Sequence, residues 1–454
     1  MGDPMSITLN GTTGITTPAI DNQGNLSVDG GTIKLDGNYP VGTGNVALGD
    51  AALDSVEAGG NYNVAIGDSA GTAITTGDHN VAIGFNALDA EDGGTASVAI
   101  GSYALSSQNA DGNNFNTAVG YVAGSDITTG IQNTLIGALA GDALIAAADN
   151  VAVGFEALST ETGGQNSVAI GARALKVQVN ASGNIYNTAV GSNAATATTT
   201  GNLNTAIGGN ALYSNTTASD NTAVGYRAGY SSTVLGGQTH VGSRAGEFAT
   251  GQWNTCIGYA TGATITTGIE NTMIGAYNGN YVVGLTTGSY NITVGTYSGP
   301  SSPSSNYELV MGWNVRGKGS STGFIYANGG GVYQGNNSSS WSTTSDQRLK
   351  KNIADNNDGL DKINAIRVRN FEYRLPEEVD AELKPADAIQ KTGMQLGVIA
   401  QELQAVLPEC VKQESTGVLS VDTDNLTWYL VNSIQELSAK NDALTARITA
   451  LEGA

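Results

Sequence analysis

Ser345 is a candidate nucleophile, and Lys350 follows it in Ser345-Asp346-Gln347-Arg348-Leu349-Lys350-Lys351. A serine hydroxyl is a weak nucleophile and needs an adjacent base. A lysine can be that base only when neutral, which takes desolvation or a cationic neighbour. Arg348 and Lys351 can supply the nearby positive charge. On a continuous α-helix, residues five apart point about 140° apart. The pair therefore needs a loop or turn to meet. Serine and lysine at this spacing carry no specificity by themselves.

Two unlike segments meet at Ser345. The 454 residues contain 63 glycines, are 13% charged and carry a net charge of −21. About −15 of that lies before Ser345 and about −6 from it onward. The N-terminal part has few basic residues to neutralise phosphates, so nucleic acid and anionic membranes are excluded as partners. No run approaches the ~20 apolar residues of a membrane span. No signal peptide is read at the start: Met1–Pro4 reads as an expression scar before a natural start at Met5, and Met5-Ser-Ile-Thr-Leu is too polar for an h-region. Cys256 and Cys410 lie in different segments, and His79 and His240 are isolated. Neither a disulfide framework nor a metal site is implied, and no cofactor is expected.

Residues 5–44 alternate small apolar and polar residues between turn signals, which predicts short strands in an attachment segment. From Asn45 a pentamer recurs, Asn-x-Ala-(Ile/Val/Leu)-Gly, in fifteen copies closed by glycines from Gly49 to Gly295. The usual step is 17 residues, and a short fixed period means a solenoid or array. The aliphatic before each glycine is expected to point into the core. Ala two before the glycine predicts close approach, and the stacked Asn amides predict a hydrogen-bonded ladder. The glycine permits φ > 0. Cys256 fills an Ala slot and is read as a small core residue. At one rung of about 4.7 Å per repeat the array is on the order of 70 Å long. The pattern frays towards Gly299, and from Pro300 to Thr344 the repeat is read as gone. Aromatics including Tyr307, Trp313, Phe324, Tyr326, Tyr333 and Trp341 predict a β-rich tip module there, with packing at a chain interface favoured over stacking on sugars.

Over residues 45–299 the array resembles the head repeats of trimeric adhesins and the shafts of phage tail fibres. That resemblance implies a mainly β protein whose shaft is a left-handed parallel β-roll or solenoid of three chains. Residues 345–454 resemble the self-cleaving intramolecular chaperone domain of phage tail spikes and tail fibres. Four blocks match in order: Ser345 to Ile353, Ala365-Ile366 through Tyr373, Gly397 to Glu402 with Leu407-Pro408-Glu409, and Leu419 to Asp422 leading into a helix. The resemblance implies a small α+β domain that drives trimerisation. It makes Ser345 the nucleophile and Lys350 the general base, with Thr344–Ser345 the scissile bond. It also implies a virion component assembled in the host cytoplasm. Such a fibre would engage a cell-surface glycan or protein receptor and join the virion tail through its N-terminal segment.

Ile399, Leu403 and Val406 predict a helix ended by Pro408. The last helix is expected near Asp424 and over 424–452. Leu430, Ile434, Leu437, Leu444, Ile448 and Leu451 form an a/d seam, with Asn441 in its one polar slot. Three such helices make a parallel trimeric coiled coil; heptads alone also permit a dimer. A bacterial trimeric adhesin lacks its export signal and anchor here. A polysaccharide-degrading tailspike lacks evident paired carboxylates, and an ice-binding solenoid lacks Thr pairs on every rung. Transcription-factor relatives of the chaperone domain need a DNA-binding domain and a membrane span, and neither is seen.

Overall fold

The computed structural model describes residues 41–180, 182–280, 284–327, 330–335, 342–343, 345–380, 389, 391–413 and 417–453. Most of the 5–44 segment lies outside these, as do Tyr281, Trp341 and Thr344. The chain divides into two compact units, Met1–Thr344 and Ser345–Ala454.

The first unit is a β-solenoid. Among its described residues sixteen three-residue strands, from Val46–Leu48 to Leu309–Met311, each pair in parallel with the strand one coil on. The column runs past Pro300, because Leu309–Met311 stacks on Ile292–Val294. Sequence reading ended the repeat there because the pentamer consensus is lost while the coil is kept.

Side chains alternate along a strand, so only the middle residue of each triplet faces inward. Ala65, Ala82 and Ala99 occupy that position, stacked in register and fully buried. The aliphatic before the glycine faces outward instead, a correction to the sequence reading. Ile66, Ile136, Ile170 and Ile207 are 37–41% exposed. The narrow coil takes its large core residues from elsewhere, chiefly the leucines four after the glycine. Gly84 shows why the closing glycine is required: its φ is +134°, and a Cβ there would lie 2.6 Å from the Gly101 carbonyl of the next coil.

Core size is exchanged between two columns. Leu88, Leu105 and Leu158 adopt the left-handed region, at φ 51°, 51° and 54°, and fill the coil beside strand alanines. Where the strand position is itself large, the left-handed position is glycine. Leu135 reaches over both Gly124 and Gly141, whose added Cβ atoms would lie 2.7 and 2.8 Å from its methyls. Close packing demands this compensation.

The expected amide ladder is present. Asn63 Oδ1 accepts from the Asn80 N–H at 2.9 Å, and Asn63 Nδ2 donates to the Gly77 carbonyl at 2.8 Å. The same pair of bonds recurs at Asn204, to Asn221 N–H and the Ala218 carbonyl. Each amide thus joins its own coil to the next and satisfies buried backbone groups. At the corners, Thr199, Thr216, Thr250 and Thr266 donate their hydroxyls to carbonyls of the following coil at 3.0–3.1 Å. These threonine rows are structural. Beyond the last coil, Gly323–Ala327 and Gly330–Gln334 form an antiparallel pair. Phe324 packs with Val310 and Val315, while Tyr307 and Trp313 are exposed.

The second unit holds three α-helices among its described residues: α1 (Leu360–Ala365), α2 (Ala400–Gln404) and α3 (Thr423–Glu452). Arg369–Phe371 pairs antiparallel with Gln395–Gly397, and Val411–Gln413 with Leu419–Val421. Leu403, Leu407, Cys410, Val411 and Tyr429 form its core. Helix α2 stops at Gln404, and Pro408 opens a separate 3-10 turn instead of ending that helix. No described helix is long and apolar enough to cross a membrane.

Burial pushes the Asp142 carboxyl up to about 6, with the Asp126 and Glu156 charges adding to the effect. A folded pKa above the unfolded value, 3.8, stabilises the fold fully below that value, and the gain is lost as pH rises towards 6. Asp142→Asn is therefore expected to raise shaft stability at pH 7 by about 1 kcal/mol after solvent screening. It should change little at pH 3.5. Thermal melts of both proteins at the two pH values check this.

Candidate functional site

The segment that opens the second unit folds back on itself. Gln347–Leu349 form a single 3-10 turn. Asp346 caps it, accepting the Arg348 N–H at 2.9 Å. The Arg348 guanidinium returns to the same carboxylate, with Nη2 2.6 Å from Oδ2 and Nε 3.0 Å from Oδ1. Arg348 holds the Asp346 carboxyl below its ordinary range. A 3-10 turn is tighter than an α-turn, and Lys350 leaves it in extended geometry. The result brings Lys350 Nζ to 2.6 Å from Ser345 Oγ.

The structure therefore joins the two side chains singled out from sequence, on a turn as the spacing requires. Both are exposed. Of the two cations expected beside Lys350, Arg348 is committed to Asp346 instead. Leu349 and Ile353, next to the pair, are 75% and 65% exposed. The Asp346–Arg348 clasp was not foreseen, although Asp and Arg two apart around a turn are a readable capping signal.

The segment after the turn is fastened to α3. Asn432 Nδ2 donates to the carbonyls of Asn356 and Asp358 at 2.8 and 3.0 Å. Glu436 Oε2 accepts the Leu360 N–H at 3.0 Å, beside its ion pair with Lys440. Glu402 binds Arg369 through two hydrogen bonds, at 2.7 and 3.1 Å, tying α2 to the adjacent hairpin. Tyr429 donates to Glu409. An apolar cleft of about 680 Å³, lined by Phe371, Tyr373, Val398, Ile399 and Leu419, opens elsewhere in the unit. It does not include Ser345 or Lys350. Among the described residues, no three His, Cys, Asp or Glu side chains gather as a metal site.

Helix α3 begins at Thr423 with Asp422 as its cap, one residue before the expected start. It packs Tyr429 and Ser433 inward. The heptad seam points away from that core: its apolar residues range from 44% exposed at Leu430 to 72% at Leu451.

Residues 345–412 match the family model described as chaperone of endosialidase. Along the sequence that match follows a long β-solenoid. The combination fits a phage tail fibre or tailspike with an intramolecular chaperone. The match begins at the candidate nucleophile, and α3 lies beyond its end. No curated protein matches the chain.

An exposed heptad seam needs partner helices. Leu444→Asp should convert an assembled wild-type chain into monomers in sedimentation velocity. A monomeric wild type would remove the seam as an association device.

Proposed function

We propose that this chain is a phage tail fibre whose C-terminal domain brings three copies together and then severs itself at Thr344–Ser345. The observation that carries the reading is the 2.6 Å contact between Lys350 Nζ and Ser345 Oγ. It lies at the first residue of the matched family and at the boundary between the two compact units.

The chemistry runs as an acyl shift followed by hydrolysis. Neutral Lys350 takes the Ser345 Oγ proton as Oγ adds to the Thr344 carbonyl carbon. The Thr344–Ser345 C–N bond breaks, and the Ser345 nitrogen receives the proton back from Lys350. Water then cleaves the ester, leaving a carboxylate on Thr344 and a free hydroxyl and amine on Ser345. The exposed pair would gain its desolvated surroundings from neighbouring copies. Leu349 and Ile353 are the apolar residues placed to accept such cover.

Two observations support an assembly of copies over a lone chain. The α3 seam is exposed, and so is the row of Ile66, Ile136, Ile170, Ile207, Ile257 and Ile274 on one face of the solenoid. A regular apolar row of this kind marks an interface. The fibre would be a virion component that meets a host-cell receptor. Release of the helper would trap the shaft kinetically, because unfolding could no longer retrace folding.

Purified wild type should run as two pieces on a denaturing gel, with the larger ending at Thr344 by intact mass. Ser345→Ala and Lys350→Ala should each remain at the full 46.1 kDa. Asp346→Ala should cut about 10–100-fold more slowly, since it loosens the turn that aligns the pair. An uncut wild type, or a Ser345→Ala chain cut at the same place, refutes the reading.

A further inference from the structure

We propose that His240, Cys256 and Met273 form a buried site for one soft monovalent metal ion, of the Cu(I) or Ag(I) class. These residues take the inward strand position on three successive coils, where alanine stands in most others. The strand register places His240 against Cys256, and Cys256 against Met273. All three are fully buried.

Their side chains fill the space beside three glycines of the same coils. Gly246, Gly262 and Gly279 occupy the left-handed position that leucine fills in earlier coils, with φ of 55°, 58° and 71°. A Cβ on Gly246 would lie 2.3 Å from His240 Nδ1. A Cβ on Gly262 would lie 2.6 Å from Cys256 Sγ and 3.4 Å from Met273 Sδ. The imidazole nitrogen and both sulfurs therefore flank neighbouring vacant Cβ positions in stacked coils.

The imidazole is also oriented as a ligand would be. His240 Nε2 lies 2.6 Å from Gln238 Oε1. Gln238 is itself oriented by donation of its Nε2 to the Leu235 carbonyl at 3.3 Å. An amide oxygen only accepts, so Nε2 carries the proton and Nδ1 a free lone pair. That Nδ1 has no hydrogen-bond partner although it is buried. A metal-bound histidine is held in this way, with its other ring N–H given to an oxygen. Gln238 stands at a ladder position where asparagine is usual, and its longer side chain is what reaches the ring.

The donor set selects the metal. Thiolate, thioether and imidazole together favour Cu(I) over hard divalent ions. An ion bonded at about 2 Å can bridge donors on coils about 4.8 Å apart once their side chains turn towards it. On binding, the Cys256 S–H bond breaks, the sulfur bonds the cation and the proton passes to solvent. One positive ion against one thiolate leaves no net charge in the core, which a dry interior requires. The core is closed, so loading accompanies folding.

The test is to refold the full-length chain from denaturant with Ag(I), wash it with a thiol chelator and count metal per chain. Wild type should retain about one ion, and so should Cys410→Ala. Cys256→Ala and His240→Ala should retain at least tenfold less, and Cys256→Ala, the smaller loss of volume beside its glycine, should keep the wild-type circular dichroism. X-ray absorption on a Cu(I)-loaded chain should show nitrogen and sulfur neighbours together. Wild type without retained metal, retention unchanged by Cys256→Ala, or a sulfur-only shell each overturns the proposal.

Discussion

The shaft depends on one repeated interaction, the buried asparagine amide that bonds its own coil to the next. Parallel strands of three residues offer few ladder bonds of their own. The asparagine adds an accepted N–H and a donated bond to a carbonyl fourteen residues on, as at Asn80 with Ser97 and Gly94. A coil carrying several residues at positive φ bears a conformational cost at each. Stacking offsets that cost, since these residues donate their own amides to a neighbouring coil, as Asn86 does to Asp68. The strained turn and the ladder therefore exist only together, and a lone coil would hold neither.

The constraint is visible where the ladder is interrupted. Ser97 is too short to continue it, and Gln108 enters the core to bridge the gap. It donates to Ser97 Oγ at 2.9 Å and accepts from Asn116 Nδ2 at 2.7 Å. Glu91 in turn accepts from Gln108 and from the Gly94 N–H. The same set returns about seventy residues on as Ser167, Gln178, Asn187 and Glu161. Both sets sit under coils that carry extra residues, paired as Gly94–Thr95 with Gly112–Asn113 and Gly164–Gln165 with Gly183–Asn184. A buried carboxylate is tolerated because it is surrounded by donors.

Much of this was legible in the sequence. The pentamer identified the solenoid, the asparagine ladder and the close approach at alanine, since asparagine holds its slot in twelve of the fifteen copies and alanine in ten. The facing of the aliphatic before the glycine was not legible. A triplet strand gives two outward positions to one inward, and with a small alanine at the centre hydrophobicity alone points the wrong way. The Leu135–Gly124–Gly141 exchange was hidden because its partners lie in different coils. Ser345 and Lys350 were legible through their motif, whereas the Asp346–Arg348 clasp that folds the turn is a contact the motif contains without displaying. The Glu91 and Gln108 network could have been found from the seventy-residue echo, had the step been sought at four coils as well as one.

That echo bears on the proposed assembly. If three solenoids associate along the apolar isoleucine row, a slip of one coil sets an extended coil such as Gly94–Asn113 beside an ordinary one and is penalised. A slip of four coils is different. It sets the coil built around Glu91 and Gln108 level with the one built around Glu161 and Gln178, and one extended coil level with the other, so the misregistered shafts match nearly as well level by level. Side-chain matching within the shaft discriminates weakly against this error, as register is weakly held wherever a pattern repeats. Under the proposed function a helper at one end would resolve it, because helices of the length of α3 would fix the ends before the first coil closes. On that account the long internal repeat, more than the pentamer, makes an external register setter necessary, and the helper is dispensable once the ends have been matched.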